Sequence, residues 1–307
     1  LALGGLTIGV SNEELTAAYA AIANGGVYTK PKLYTQVLDS DGNVILDNRT
    51  PQTHQVIKET TAFLLTDAMV DVVTKGTGTR TRFSNTMAIA GKTGTTSSNV
   101  DVWFAGFTPY YTCSTWAGYD NNHKMISSGA HQETNIAKNI WRNVMASVHE
   151  DLPDKSFYVP TGIMEAEICK LSGKLPNPGV CDPACIVTEY FEEDTVPIET
   201  CDVHYFGQIC AYDNLVAAPE CPFQYTGTWI MTPVEHESLW SGSTIPIEQP
   251  DGSIVYQTPK TSNTCQHDAT FFLDPNYATT LQIQQEELNQ RIQGALEAQQ
   301  QQQQQPQ

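Results

Sequence analysis

Positive charge is scarce in this chain and nearly missing from its second half. The 307 residues carry 16 Lys and Arg against 34 Asp and Glu, a formal net charge of −18. Residues 1–145 are balanced, with 11 of each sign, which leaves 5 basic and 23 acidic side chains beyond them. An acidic excess of that size repels phosphate backbones and excludes nucleic acid as a partner. Also missing is any run of 18 apolar residues, so the sequence predicts no membrane-spanning helix. The opening Leu1-Ala2-Leu3-Gly4-Gly5 has neither an initiator methionine nor a basic signal head, and the expectation is a piece of a longer protein. Cysteine is sparse at first: Cys113 stands alone in the neutral part. The other seven, at 169, 181, 185, 201, 210, 221 and 265, fall in the acidic part, which points to disulfides outside the cytoplasm or to a metal site. No repeat of 20–50 residues is apparent.

What is present has a clear order. Ser11-Asn12-Glu13-Glu14 is a capping box opening a helix on Leu15, Ala18, Tyr19 and Ile22, which Asn24-Gly25-Gly26 closes. Residues 33–38 and 44–46 flank Asp41-Gly42, a hairpin signal. A second helix is expected over about 60–73, with Phe63, Leu64, Met69 and Val72 toward a core, ending in the loop Lys75-Gly76-Thr77-Gly78. Three strands follow at 86–95, 101–108 and 113–119, then a helix at about 134–148 with Ile136, Ile140, Trp141, Val144 and Val148 on one apolar side. Helices before and after an antiparallel meander predict an α+β sandwich. Three segments are expected: 1–149, an acidic Cys-rich extension at 150–225, and an irregular 226–307 with a short helix at about 277–298 and a disordered Gln-rich tail.

The stretch Ala90-Gly91-Lys92-Thr93-Gly94-Thr95-Thr96 carries the chemistry. Transfer of a peptide's terminal acyl group needs a carboxylate anchor, a surface that aligns the peptide, and donors for the developing oxyanion. One edge strand supplies all three if the Thr93 and Thr95 hydroxyls bind a substrate carboxylate beside the positive potential of Lys92. Gly94 then allows close approach of a ligand backbone as an added strand, and the Thr95 amide serves as an oxyanion donor. Gly91-Lys92-Thr93 also resembles the end of a P-loop, but that motif needs glycine at position 86, where Thr86 stands. Lys-Thr-Gly by itself is a weak signal.

Its surroundings strengthen it. Leu3-Gly4-Gly5, Gly9-Val10, the run from Ala18 to Tyr28, Gly76-Thr77-Gly78, the run from Ala90 to Thr96, the run from Asp101 to Pro109 and Trp116-Ala117-Gly118-Tyr119 together resemble the C-terminal half of the transpeptidase domain of a class A, bifunctional penicillin-binding protein. The resemblance implies a penicillin-binding/β-lactamase-like fold, incomplete here. Its parent would be an extracytoplasmic, membrane-anchored enzyme that cross-links peptidoglycan stem peptides through an acyl-serine and is inhibited by β-lactams, with other wall-synthesis proteins as possible partners. It places Lys92 and Thr95 in catalysis and Lys92, Thr93, Gly94, Thr95 and Thr96 in substrate binding, with no cofactor and no metal. Of the family's three motifs only the third is present, since no lysine here has serine three positions before it. Ser97-Ser98-Asn99 follows the third motif instead of preceding it and reads as a polar turn. The resemblance thus implies that the nucleophile, its lysine, the second motif, a glycosyltransferase domain and the anchor belong upstream. A noncatalytic module that holds stem peptides or docks wall-synthesis proteins is the alternative.

Residues 169–204 resemble the short cysteine-bearing extension of some such proteins. Cys181-x3-Cys185 followed by Cys201-x2-His204 has ligand types for zinc, whereas an extracytoplasmic location favours disulfides. Asp101, Trp103 and Phe104 read as packing beside the motif, and Arg80, Arg82, His123 and His131 as surface groups.

Overall fold

The computed structural model describes residues 9–129, 132–213, 215–231, 244–249, 251–259, 263–268 and 270. The chain divides into two compact units, Leu1–Glu165 with Tyr190–Val196, and Ala166–Glu189 with Pro197–Gln307. The helix expected at about 277–298, the Gln-rich tail, Leu3-Gly4-Gly5 and His131 lie outside the described residues.

The first unit opens with α1 (Asn12–Ala23), started by the capping box: Ser11 Oγ accepts the Glu14 amide at 3.2 Å, and the Glu14 carboxylate accepts the Ser11 amide at 2.8 Å. Gly26, at φ +82°, ends it, its amide returning to Ala21 O at 2.8 Å; a Cβ there would lie 2.2 Å from Ile57 O, so only glycine fits. Two small antiparallel ladders follow, β1 (Val27–Thr29) on β4 (Thr53–Gln55) and β2 (Gln36–Leu38) on β3 (Val44–Asp47). The second is the hairpin around Asp41-Gly42, and Asp39 holds its turn by accepting the Asp41 and Asn43 amides.

Next comes α2 (Glu59–Thr74), then the antiparallel sheet β5 (Ala90–Thr95), β6 (Asp101–Phe107) and β7 (Thr112–Gly118), in the order β5-β6-β7. A 3-10 turn at Glu133–Asn135 leads into α3 (Ile136–Val148). Phe104, Trp141, Met145, Val73, Met87 and Ile89 form one buried cluster, with the Phe104 and Trp141 rings edge-on at 5.0 Å. Trp141 Nε1 donates to Cys113 O at 2.9 Å, so this ring is buried with no donor left over. The apolar side expected of α3 is only partly the buried one. Ala137, Trp141 and Met145 face the core at four-residue spacing, while Ile136, Ile140, Val144 and Val148 form a neighbouring exposed stripe. The helix is apolar over an arc wider than the sheet covers, so periodicity alone could not choose the edge.

β8 (Ile163–Cys169) and β9 (Ile186–Glu192) pair and carry the chain from the first unit into the second and back. The second unit continues with the antiparallel pairs β10 (His204–Cys210) on β11 (Gln224–Ile230) and β12 (Ile245–Glu248) on β13 (Ile254–Gln257). Residues 226–270, expected to be irregular, hold most of β11 and all of β12 and β13 among the described residues. Along β11 only Trp229 and Ile230 are buried, so no period-two alternation marks it as a strand.

Candidate active-site strand and two cysteine–histidine clusters

β5 is an edge strand of its sheet, paired on one side with β6 in the register Lys92↔Ala105, Thr93↔Phe104, Gly94↔Trp103 and Thr95↔Val102. Alternation then puts Thr93 and Thr95 on one face, and Lys92 and Gly94 on the other. Lys92 still brings its charge back to the strand, with Nζ donating to Thr93 O at 3.0 Å. Lys92 and Thr95 are exposed, and Thr93 and Gly94 half-buried. The two threonine hydroxyls differ in their engagement: Thr93 Oγ1 lies 2.9 Å from Thr77 Oγ1, which ties the Gly76-Thr77-Gly78 loop to β5. The resemblance includes Gly76-Thr77-Gly78 among its matching stretches but gives Thr77 no place in the site, and nothing in its spacing from Thr93 signals the contact.

The remaining expected residues fall into place around this strand. Thr96 belongs to the turn: its amide donates to Asp101 O at 3.1 Å and its hydroxyl accepts the Asp101 amide at 2.9 Å. Asp101 also accepts Trp116 Nε1 at 3.0 Å, Trp103 lies 6.4 Å from the Trp116 ring, and Phe104 is fully buried. Ser97-Ser98-Asn99 is the polar turn between β5 and β6, with Ser98 and Asn99 at positive φ. A cavity of about 900 Å³ exists in this unit but lies away from β5, lined by Ala17, Ala21, Ile22, Tyr28, Ile57 and Leu65 among others. His123 sits at the surface against Tyr119.

All eight cysteines are free thiols, contrary to the preference for disulfides. Six of the seven in the second unit converge with two histidines. The ligand atoms of Cys169, Cys181, Cys201 and His204 lie within 4.8 Å of one another, as do those of Cys210, Cys221, Cys265 and His267. Every one of these side chains is buried except half-buried His267. His204 Nδ1 stands 3.4 Å from Cys169 Sγ and 3.5 Å from Cys201 Sγ, and His267 Nδ1 stands 3.3 Å from Cys210 Sγ. Burial raises the Cys169 thiol, but hydrogen bonds from His204, Ser172 and Leu171 outweigh it and hold the group down to about 6. Burial likewise raises Cys265, and the Ala218 and His267 amides draw it down to about 7. Cys181 and Cys210 are pushed up to about 12, mainly by burial. Sequence reasoning marked Cys181, Cys201 and His204 of the first group as possible ligands, but with Cys185 as the fourth where the structure brings in Cys169, and it missed the second group altogether.

Residues 1–146 match the penicillin binding protein transpeptidase domain family, and residues 159–206 match the family described as penicillin-binding protein 1A, C-terminal domain. The chain is 31% identical over 273 residues to penicillin-binding protein 1A of Clostridium novyi, a match covering 87% of this chain and 30% of that protein. It is 36% identical over 226 residues to penicillin-binding protein 1A of Clostridium botulinum strain Langeland, covering 72% and 27%. Among solved structures, penicillin-binding protein 1A from Haemophilus influenzae aligns with a TM-score of 0.55 and 25% identity, over 62% of this chain and 33% of that one. The chain thus spans about a third or less of the length of these relatives. Among the described residues no helix is long and apolar enough to cross a membrane.

Proposed function

Because residues 1–146 belong to the penicillin-binding transpeptidase family, we propose that this chain supplies the Lys-Thr-Gly wall of a peptidoglycan DD-transpeptidase site whose serine lies outside these 307 residues. The observation that carries the reading is the position of Lys92-Thr93-Gly94-Thr95 on an edge strand with Lys92 and Thr95 exposed. An extended D-amino-acid terminus adds to such an edge as a further strand. Thr95 Oγ1 binds the substrate's terminal carboxylate, and Lys92 Nζ, held at the strand edge, adds positive potential there. The Thr95 amide is one oxyanion donor, and the serine's own amide is the second.

In the reaction, the serine oxygen attacks the carbonyl carbon of the penultimate D-alanine. The C–N bond to the terminal D-alanine breaks as the leaving amine takes the proton that the serine hydroxyl gave up, and an acyl-serine remains. An amine of a neighbouring stem peptide then displaces the serine. A β-lactam enters the same path, but its ring amine stays tethered and the acyl-serine persists. Such chemistry belongs outside the membrane, where the substrate is.

Fluorescent penicillin labelling tests this. The 307-residue chain alone is expected to take no label. In the gene product that includes the upstream serine, Lys92→Ala and Thr95→Val are each expected to slow acylation about 100- to 1,000-fold, the usual cost of a lost transition-state contact. Label on the isolated chain, or unchanged acylation in both variants, rejects the assignment.

A further inference from the structure

We propose that the second unit holds two structural zinc sites of the Cys3His type, the second built on a repeat of the module that carries the first. The repeat is visible in backbone bonds that involve no side chain. Cys169 closes β8 and Cys210 closes β10, and their amides donate to Lys174 O at 2.8 Å and Leu215 O at 2.9 Å. Leu175 then makes a parallel bridge with Thr200, as Val216 does with Thr264. The Leu175 amide donates to Glu199 O and accepts Cys201 N at its carbonyl; the Val216 amide donates to Asn263 O and its carbonyl accepts Cys265 N. The residue after the first cysteine also repeats its bond, Lys170 to Cys185 O at 2.8 Å and Ala211 to Phe223 O at 2.9 Å.

This alignment brings together Cys169 with Cys210, Cys181 with Cys221 and Cys201 with Cys265, while each histidine follows the third cysteine, three residues on in one copy and two in the other. The four side chains that converge in each copy are thus the same four positions. Cys185 aligns with Phe223 and lies in neither quartet; it is fully buried in the cluster that holds the first quartet's cysteines with Val203, Ile230 and Ile247, and it interacts with His204 from outside the quartet. The family match at 159–206 contains the first copy and stops short of the second.

The donor set selects the ion. Three thiolates and one imidazole at the corners of a tetrahedron suit zinc, whose bonds of about 2.3 Å to sulfur and about 2.0 Å to nitrogen place neighbouring ligand atoms about 3.6 Å apart. The Nδ1 to Sγ separations of 3.3–3.5 Å lie close to that frame, and all four ligand atoms of each quartet converge within 4.8 Å. Backbone amides support the sulfurs as they do in metal centres: Asn177 N donates to Cys181 Sγ at 3.1 Å, and Ala218 N to Cys265 Sγ at 3.2 Å. Among the described residues His204 Nε2 is buried without a hydrogen-bond partner, so Nδ1 is the working end of that ring, and it faces sulfur. His267 Nδ1 also lies 3.7 Å from Asp213 Oδ2. Disulfides cannot pair all seven cysteines of this unit among themselves.

The test uses the whole 307-residue chain, purified in reductant with zinc supplied and then desalted. Elemental analysis is expected to give two zinc per chain, and cobalt titration of the metal-free chain to give the visible absorption of tetrahedral thiolate-bound cobalt, saturating at two equivalents. Cys265→Ser and His267→Ala are each expected to reduce zinc to one per chain, Cys201→Ser likewise, and Cys185→Ser to leave two. Because the cobalt endpoint is read on the unaltered chain, a variant that fails to fold does not obscure the result. One ion or none in the unaltered chain, or a disulfide joining any two of the six ligand cysteines in chain purified without reductant, overturns the proposal.

Discussion

The Thr108 hydroxyl hydrogen-bonds Nε2 of His149 across 2.8 Å, and the same oxygen accepts the amides of Tyr110 and Tyr111 at 3.1 and 3.2 Å. The other ring nitrogen, Nδ1, donates to Met145 O at 2.7 Å, so this ring carries a proton on Nδ1. Phe83, Tyr110 and Tyr111 surround the ring, and both Thr108 and His149 are buried. The pair fastens the end of α3 to the turn between β6 and β7.

Thr108→Val removes the hydroxyl and leaves the histidine nitrogen and two amides without their partner. The loss is expected to be about 2–3 kcal/mol, the cost of stranding buried polar groups. Thr108→Ser keeps the oxygen and is expected to lose less than half as much. Urea unfolding of the two variants checks this, and equal midpoints would contradict the assigned network.

The two glycines flanking Lys92 and Thr93 differ in kind. A Cβ on Gly91 meets Phe104 Cζ at 2.5 Å and Ala105 O at 2.9 Å, whereas a Cβ on Gly94 first meets Trp103 Cβ at 3.1 Å. Gly91→Ala is therefore expected to destabilise the fold by about 1–3 kcal/mol through overpacking against a fixed backbone. Gly94→Ala is expected to cost less than that. In the gene product that includes the upstream serine, however, it should slow penicillin acylation while melting near the parent temperature. Thermal melts with labelling rates separate the two effects.

Trp229 Nε1 is buried with no partner among the described residues, and its ring packs on Tyr205 at 4.9 Å. Replacing it by phenylalanine loses some apolar contact but frees the fold of a stranded donor, itself a penalty of about 1–3 kcal/mol. Trp229→Phe is thus expected to shift stability by less than about 1 kcal/mol, unlike the usual cost of trimming a buried indole. A large drop in midpoint would show that this N–H has a partner after all.

Local chemistry was readable from the sequence. Ser11 and Glu14 form their box, Asp41-Gly42 turns its hairpin, and Lys92-Thr93-Gly94 lies on a sheet edge, because each is decided by residues a few positions apart. The buried face of α3 was not readable, since Ile140 and Trp141 compete for the same sheet and volume decides for the tryptophan. The second cysteine cluster was hidden for another reason. Cys181 and Cys201 are 20 positions apart and Cys221 and Cys265 are 44, with β12 and β13 inserted between the latter, so no fixed period survives. The preference for disulfides followed from compartment, which carries no information about where histidines lie.

β10 starts at His204 and ends at Cys210, and at its centre Gly207 faces Gly227, a pair with no side chains to index the ladder at that point. A ribbon with so bare a middle is prone to slide by one residue, which turns every side chain to the opposite face. Here both ends are moored, one in each quartet, and a slip would pull a histidine and a cysteine off their sulfur neighbours together. The pairing of this hairpin is thereby reinforced at both extremities, about 20 Å apart along an extended chain.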